Sequence, residues 1–136
     1  MHFFYEVLIP ANTPQTAPYN KTLLLSAGVI THIDIAIPAG HAGTAHLQLL
    51  YHEFQLYPLS RGEDYRGDDH VFPFDDRFEL TAAPFELKAK GWNTDTDNDH
   101  RFLIGITVLR QEQLGLVTPT SKVSDLIGIV GESFEV

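Results

Sequence analysis

The residues best suited to chemistry lie in Asn93-Thr94-Asp95-Thr96-Asp97-Asn98-Asp99, where carboxylates alternate along a short polar segment. Alternating Asp oxygens are the ligand type that Ca²⁺ takes, which makes Asp95, Asp97 and Asp99 candidate calcium ligands. An EF-hand loop does not fit. With Asp95 as position one, position six is His100 where the turn needs Gly, and position twelve is Ile106 where the loop needs Glu. The plainer reading is a hydrophilic hairpin loop, because Asn and Asp favour turns without any metal.

Histidine offers a second set. Gly40 followed by His46 is similar to the start of the cupin metal motif, but Gln48 stands where the second His belongs, although His52 and Glu53 follow. That likeness implies a degenerate cupin-like enzyme. Without the paired His the imidazoles read as strand and loop residues. His32 and Asp34 share one face of a strand and form a candidate dyad. No GxSxG elbow supplies a nucleophile, and Ser26 and Ser60 sit in turn contexts. Trp92 shares parity with Lys88 and Lys90, so alternation turns it outward, where an aromatic face suits a sugar ring or a wet interface; the equal alternative is that it caps the end of the core.

Short alternating segments must position these groups. Val29, Thr31, Ile33, Ile35 and Ile37 share one parity, with His32 and Asp34 on the other. Thr44 to Tyr51 reads as a strand folding back on Phe54 to Tyr57 through His52 and Glu53. Val71 to Leu80 is strand-like but interrupted by Pro73 and by Asp75-Asp76. Phe85, Leu87, Ala89 and Gly91, then Phe102, Ile104, Ile106 and Val108, predict a final hairpin around the acidic segment. The Pro-rich PANTPQTAP after the first strand should run along an edge or across one end. Helical spacing is absent before residue 110. The expectation is an all-β, two-sheet antiparallel β-sandwich, jelly-roll-like, over residues 1–110, with a C-terminal arm or closing element at 111–136.

Composition removes several classes of function. The net charge is -9, with Lys and Arg scattered, which disfavours a phosphate backbone as partner. No apolar run approaches the roughly 20 residues of a membrane helix. The N-terminal segment, MHFFYEVLIPANTP, lacks a basic start and reads as a strand rather than a secretory signal. The chain has no cysteine, so disulfides, thiolate zinc sites and thiol nucleophiles are excluded. No cofactor is expected.

The cadence of apolar strands, with YEVLIPANTP after the start and ELKAKGWNTDTDNDH before the last strand, resembles that of small single-domain jelly-roll virion proteins of the capsid, decoration and spike type. The resemblance implies a subunit located in a virion, without catalytic residues, acting by self-assembly as a homo-oligomer and with other virion or shell proteins. The tail carries Leu126, Ile127, Ile129, Val130 and Phe134, apolar residues that predict an assembly contact. The alternative expectation is a carbohydrate- or receptor-binding β-sandwich, calcium-linked through the acidic segment.

Overall fold

The computed structural model describes residues 1–110. They form eight strands: β1 (His2–Ile9), β2 (Tyr19–Leu24), β3 (Gly28–Ile37), β4 (Ala45–Tyr51), β5 (Phe54–Tyr57), β6 (His70–Leu80), β7 (Glu86–Asn93) and β8 (His100–Leu109). Among the described residues there is no helix. One sheet has the order β1-β8-β3-β6 and the other β2-β7-β4-β5. All pairings are antiparallel. The arm expected at 111–136 lies outside the described residues.

The pairing has a simple rule. β1 pairs with β8, β2 with β7, β3 with β6 and β4 with β5. The chain is thus one long antiparallel ribbon, hinged at His52-Glu53 and wrapped until β3 meets β8 and β4 meets β7. This is the jelly roll. Its core lies between the sheets. Ile33, Ile35, Phe102, Ile104 and Ile106 face Leu23, Leu47, Leu49, Leu87 and Ala89, all without exposed surface.

Three sequence expectations are corrected here. β7 and β8 are not a hairpin, because they belong to different sheets. The acidic segment is a corner crossing from sheet to sheet, a distinction that alternation within each strand cannot make. In β3, Thr31 is bulged: Ile30 pairs with Val108 and His32 with the next residue back, Thr107. The extra residue moves Ile30 into the core, where it is fully buried, and leaves Thr31 half-buried. β6 is continuous through Pro73. It tolerates the missing N–H because it is an edge strand.

Connections β1–β2, β3–β4 and β7–β8 meet at one end of the sandwich. The Asn12 N–H donates to the Asp95 carbonyl at 2.7 Å, Thr13 and Asn93 exchange backbone bonds of 3.0 and 2.9 Å, and the Thr94 N–H donates to the Thr44 carbonyl at 3.0 Å. The Pro-rich segment thus crosses the end of the sandwich, as its composition predicts. Met1 and the last residues of β8 lie together at the other end, bonded through Met1 and Val108.

Candidate functional site

The acidic corner turns its carboxylates on itself. Asp95 Oδ1 accepts from the backbone N–H of Asp97 at 2.9 Å and of Asn98 at 3.2 Å, while Oδ2 lies 3.0 Å from His100 Nε2. The Asp97 N–H, then the His100 ring, hold the Asp95 carboxyl down to about 2. Asp99 Oδ1 is 2.8 Å from the Ala11 N–H and ties the corner to the β1–β2 connection. Among the described residues no three His, Asp or Glu side chains gather as a metal site. Turn and corner bonds account for the carboxylates of Asp95 and Asp99, while Asp97 contributes its backbone N–H.

Behind this corner lies the most unusual polar pair. His41 and His100 stack with ring centroids 4.6 Å apart, and Phe102 meets His41 edge-on at 5.1 Å. His41 Nε2 lies 2.8 Å from the Arg101 carbonyl, which makes it the donor and leaves Nδ1 as a bare acceptor. That Nδ1 is buried without a hydrogen-bond partner. Burial lowers the His41 pKa and favours the neutral ring, against the Arg101 carbonyl, which raises it. Asp68 caps the same loop, accepting from the Gly40 N–H at 2.7 Å and the Ala42 N–H at 3.2 Å. The pair lines a groove of about 470 Å³ with Phe4, Leu103, Glu6 and Arg101.

Of the two readings of Trp92, the structure takes the buried one. Trp92 is 5% exposed, although it does stand on the outer side of its sheet. His46 stacks on it at 5.2 Å and 8°, and His46 Nδ1 lies 2.7 Å from Asp64 Oδ1, to which Arg66 also donates. The long β5–β6 connection covers this face, since Tyr65 and Leu47 exchange backbone bonds of 2.8 and 3.0 Å. Gln48 is absorbed into the same cover through the Glu63 carbonyl, and His52 sits in the β4–β5 turn at φ 56°. The cupin-like set is therefore not assembled. His32 takes Asp75 of β6 as its close partner at 2.7 Å, whereas Asp34 stands at 3.5 Å.

The chain matches no protein-family model, and no curated protein matches it.

The remaining feature is the placement of exposed apolar side chains. Among the described residues these are Met1, Phe4, Leu8, Leu24, Phe54, Leu59 and Val71. Phe4 and Leu8 belong to β1, Leu24 to β2, Phe54 to β5 and Val71 to β6, which are the four edge strands. Met1 directly precedes β1, and Leu59 follows β5. None lies on the central strands β3, β4, β7 and β8. Sequence reasoning missed this set. Its signal was HFFYEVLI, which is apolar at both parities, as strands covered on both faces are. Leu126, Ile127, Ile129, Val130 and Phe134 lie outside the described residues.

Proposed function

We propose that this chain is a structural subunit of a virion or comparable protein shell, acting by self-assembly rather than by catalysis. The observation that carries the reading is the confinement of exposed large apolar side chains to the sandwich edges. Phe4 is 61% exposed, Leu24 61% and Leu59 66%. Burying one such side chain is worth about 1.5–3 kcal/mol. Edges are where neighbouring subunits of a sheet protein meet, and unprotected edges favour association. The jelly roll is compatible with this role but does not select it, because the same architecture serves lectin domains and cupins. The partners are further copies of the chain and other shell proteins. With a net charge of -9, nucleic acid and anionic membrane surfaces are not among them.

Light scattering of the purified protein at micromolar concentration tests the reading. A multimer of the 15.2 kDa chain is expected, and a monomer at all concentrations refutes it. Removing residues 111–136 assigns the share of the tail. A folded, smaller species is expected. An unfolded product makes the tail part of the core, and an unchanged mass places assembly elsewhere.

A second reading, a carbohydrate- or receptor-binding module, is favoured by the groove between Phe4, Leu103, Glu6 and Arg101. Its volume of about 470 Å³ falls in the range of small-molecule sites. It moves the candidate platform from Trp92 to Phe4.

A further inference from the structure

The four edges of the sandwich are not equally protected. β6 carries Pro73, a register shift against β3, and Asp75, Asp76 and Arg77. Those are the devices by which sheet edges resist pairing. β5 has only four residues, and on β2 the residues exposed beside Leu24 are the polar Asn20 and Thr22. β1 is less protected: its one charged residue is Glu6, and Lys21 Nζ of β2 reaches the Glu6 carbonyl. Its eight residues hold no Pro, no Lys and no bulge against β8.

Hydrogen-bond parity tells which groups β1 offers. Met1 and Val108 exchange both backbone bonds, at 2.7 Å each. In an antiparallel ladder such pairs alternate with non-bonded ones. Odd residues of β1 therefore bond to β8, and His2, Phe4, Glu6 and Leu8 direct their N–H and C=O groups to the open edge. Lys21 Nζ, 2.7 Å from the Glu6 carbonyl, confirms the direction. No described strand pairs with this side of β1. The same four residues place their side chains on the outer face, where Phe4 and Leu8 are exposed.

We propose that this edge is completed by β1 of a second copy, paired antiparallel about a two-fold axis at Phe4. The two four-stranded sheets then become one sheet of eight. The inference rests on the assembly reading and names one of its contacts. A continuous sheet requires each residue to face one of equal parity, which limits the register. Centring on Glu6 sets Glu6 against its own copy, a like-charge contact. Centring on Tyr5 sets Phe4 against Glu6 and His2 against Leu8. Centring on Phe4 sets Phe4 against Phe4, Phe3 against Tyr5 and His2 against Glu6. Aromatic pairs are favourable cross-strand combinations, and setting His2 against Glu6 avoids a like-charge contact. This register also makes His2–Glu6 and Phe4–Phe4 the bonded pairs, so the outward groups of His2 and Phe4 and the Glu6 N–H find partners, and the His2 N–H takes the place of Lys21 Nζ on the Glu6 carbonyl.

The test uses the full chain, and its lack of cysteine makes the test clean. Phe4→Lys brings two ammonium groups together on the axis. The particle mass is expected to fall at least twofold by analytical ultracentrifugation at 50 µM, with an unchanged circular dichroism spectrum. Phe4→Cys should oxidise to a covalent dimer in high yield, because Cα atoms of a bonded antiparallel pair lie about 5.5 Å apart, within disulfide reach. Thr22→Cys on β2 should not. If Phe4→Lys dissociates the particle but Phe4→Cys forms no disulfide, the edge is filled by another strand, such as one from 111–136, and the proposal is overturned. A multimer that survives Phe4→Lys and yields no Phe4→Cys disulfide overturns this pairing while leaving the assembly reading intact. A wild-type monomer overturns both.

Discussion

Strand β1 can serve as an interface only if it is held firmly to the opposite sheet, and the packing of Ile9 on Gly91 is one of the contacts that hold it. Gly91 of β7 lies beneath Ile9, which is fully buried. A Cβ on Gly91 would overlap Ile9 Cδ1 and would stand 2.9 Å from the His46 carbonyl oxygen and 3.1 Å from Ile9 Cγ1. Ile9 has no empty space to enter, because the interior is close-packed. Forcing a methyl into such a site costs about 1–3 kcal/mol. Replacing Gly by Ala returns about 0.4–1 kcal/mol through the unfolded chain. Gly91→Ala should therefore destabilise by about 1–2 kcal/mol. Ile9→Val alone removes the overlapping methyl and should cost about 0.5–1.5 kcal/mol. In the double variant the removed methyl makes room for the added one. The double should be no less stable than Gly91→Ala alone, giving a coupling of about 1 kcal/mol between residues in contact. Urea denaturation of the four proteins measures all three terms, provided the slopes agree. Gly91→Ala that leaves stability unchanged or raised would refute the close approach. Strict additivity would place the strain at the His46 carbonyl and not at Ile9.

The corner residues yield pH and ligand predictions. The pKa of His41 is lowered by burial, so the unfolded chain binds the extra proton first; stability should be full above about pH 6.5 and decline as pH falls below it. His41→Gln should flatten that decline in denaturant midpoints measured between pH 7 and 5, and an unchanged slope would contradict the assignment. The carboxyl of Asp95 is held down to about 2, so its contribution is present above about pH 4 and lost as pH falls toward 2. Asp95→Asn should weaken the fold at pH 7 and narrow its difference from wild type at pH 2. Calcium and EDTA should both leave the melting temperature unchanged; a rise with calcium that Asp97→Ala abolishes would restore a metal role to the corner.

How much of this was legible depended on how local each signal is. Alternation in Val29 to Ile37 and in Phe102 to Val108 reflects the side-chain period of a single strand, and it located the buried faces apart from the shift at Thr31. The β4–β5 hairpin was legible because its two strands are adjacent in sequence. Among the described strands it is the only sequential pair that hydrogen-bonds. Every other pairing joins distant segments, such as Met1 with Val108. A one-residue bulge at Thr31 leaves no trace in composition. Trp92 was left open between exposure and burial because its cover comes from His46, held by Asp64 of the β5–β6 connection, which reads from sequence as an ordinary polar loop. The acidic segment read either as a polar turn or as calcium ligands, and alternation could not show that Asp95 accepts from the backbone of Asp97 and Asn98 and faces His100, or that Asp99 accepts from the Ala11 N–H.

The same topology explains why the open edge falls on β1. In a ribbon hinged at β4–β5, the first and last described strands pair with each other. β8 then gains a second neighbour when the roll wraps onto β3, and β1 does not. β1 must therefore be an edge whatever its sequence. An edge strand in a monomer needs one apolar face and one polar face, with a device against pairing. β1 has Phe3, Tyr5, Val7 and Ile9 inward, and Phe4 and Leu8 outward, with Glu6 and the Lys21 ammonium on its carbonyl as its charged groups and with neither Pro nor bulge. Either of those facts alone is ordinary, since single exposed apolar residues are common on soluble proteins. Together, on one of the four edges of the described sandwich, they are the observations on which the proposed pairing rests.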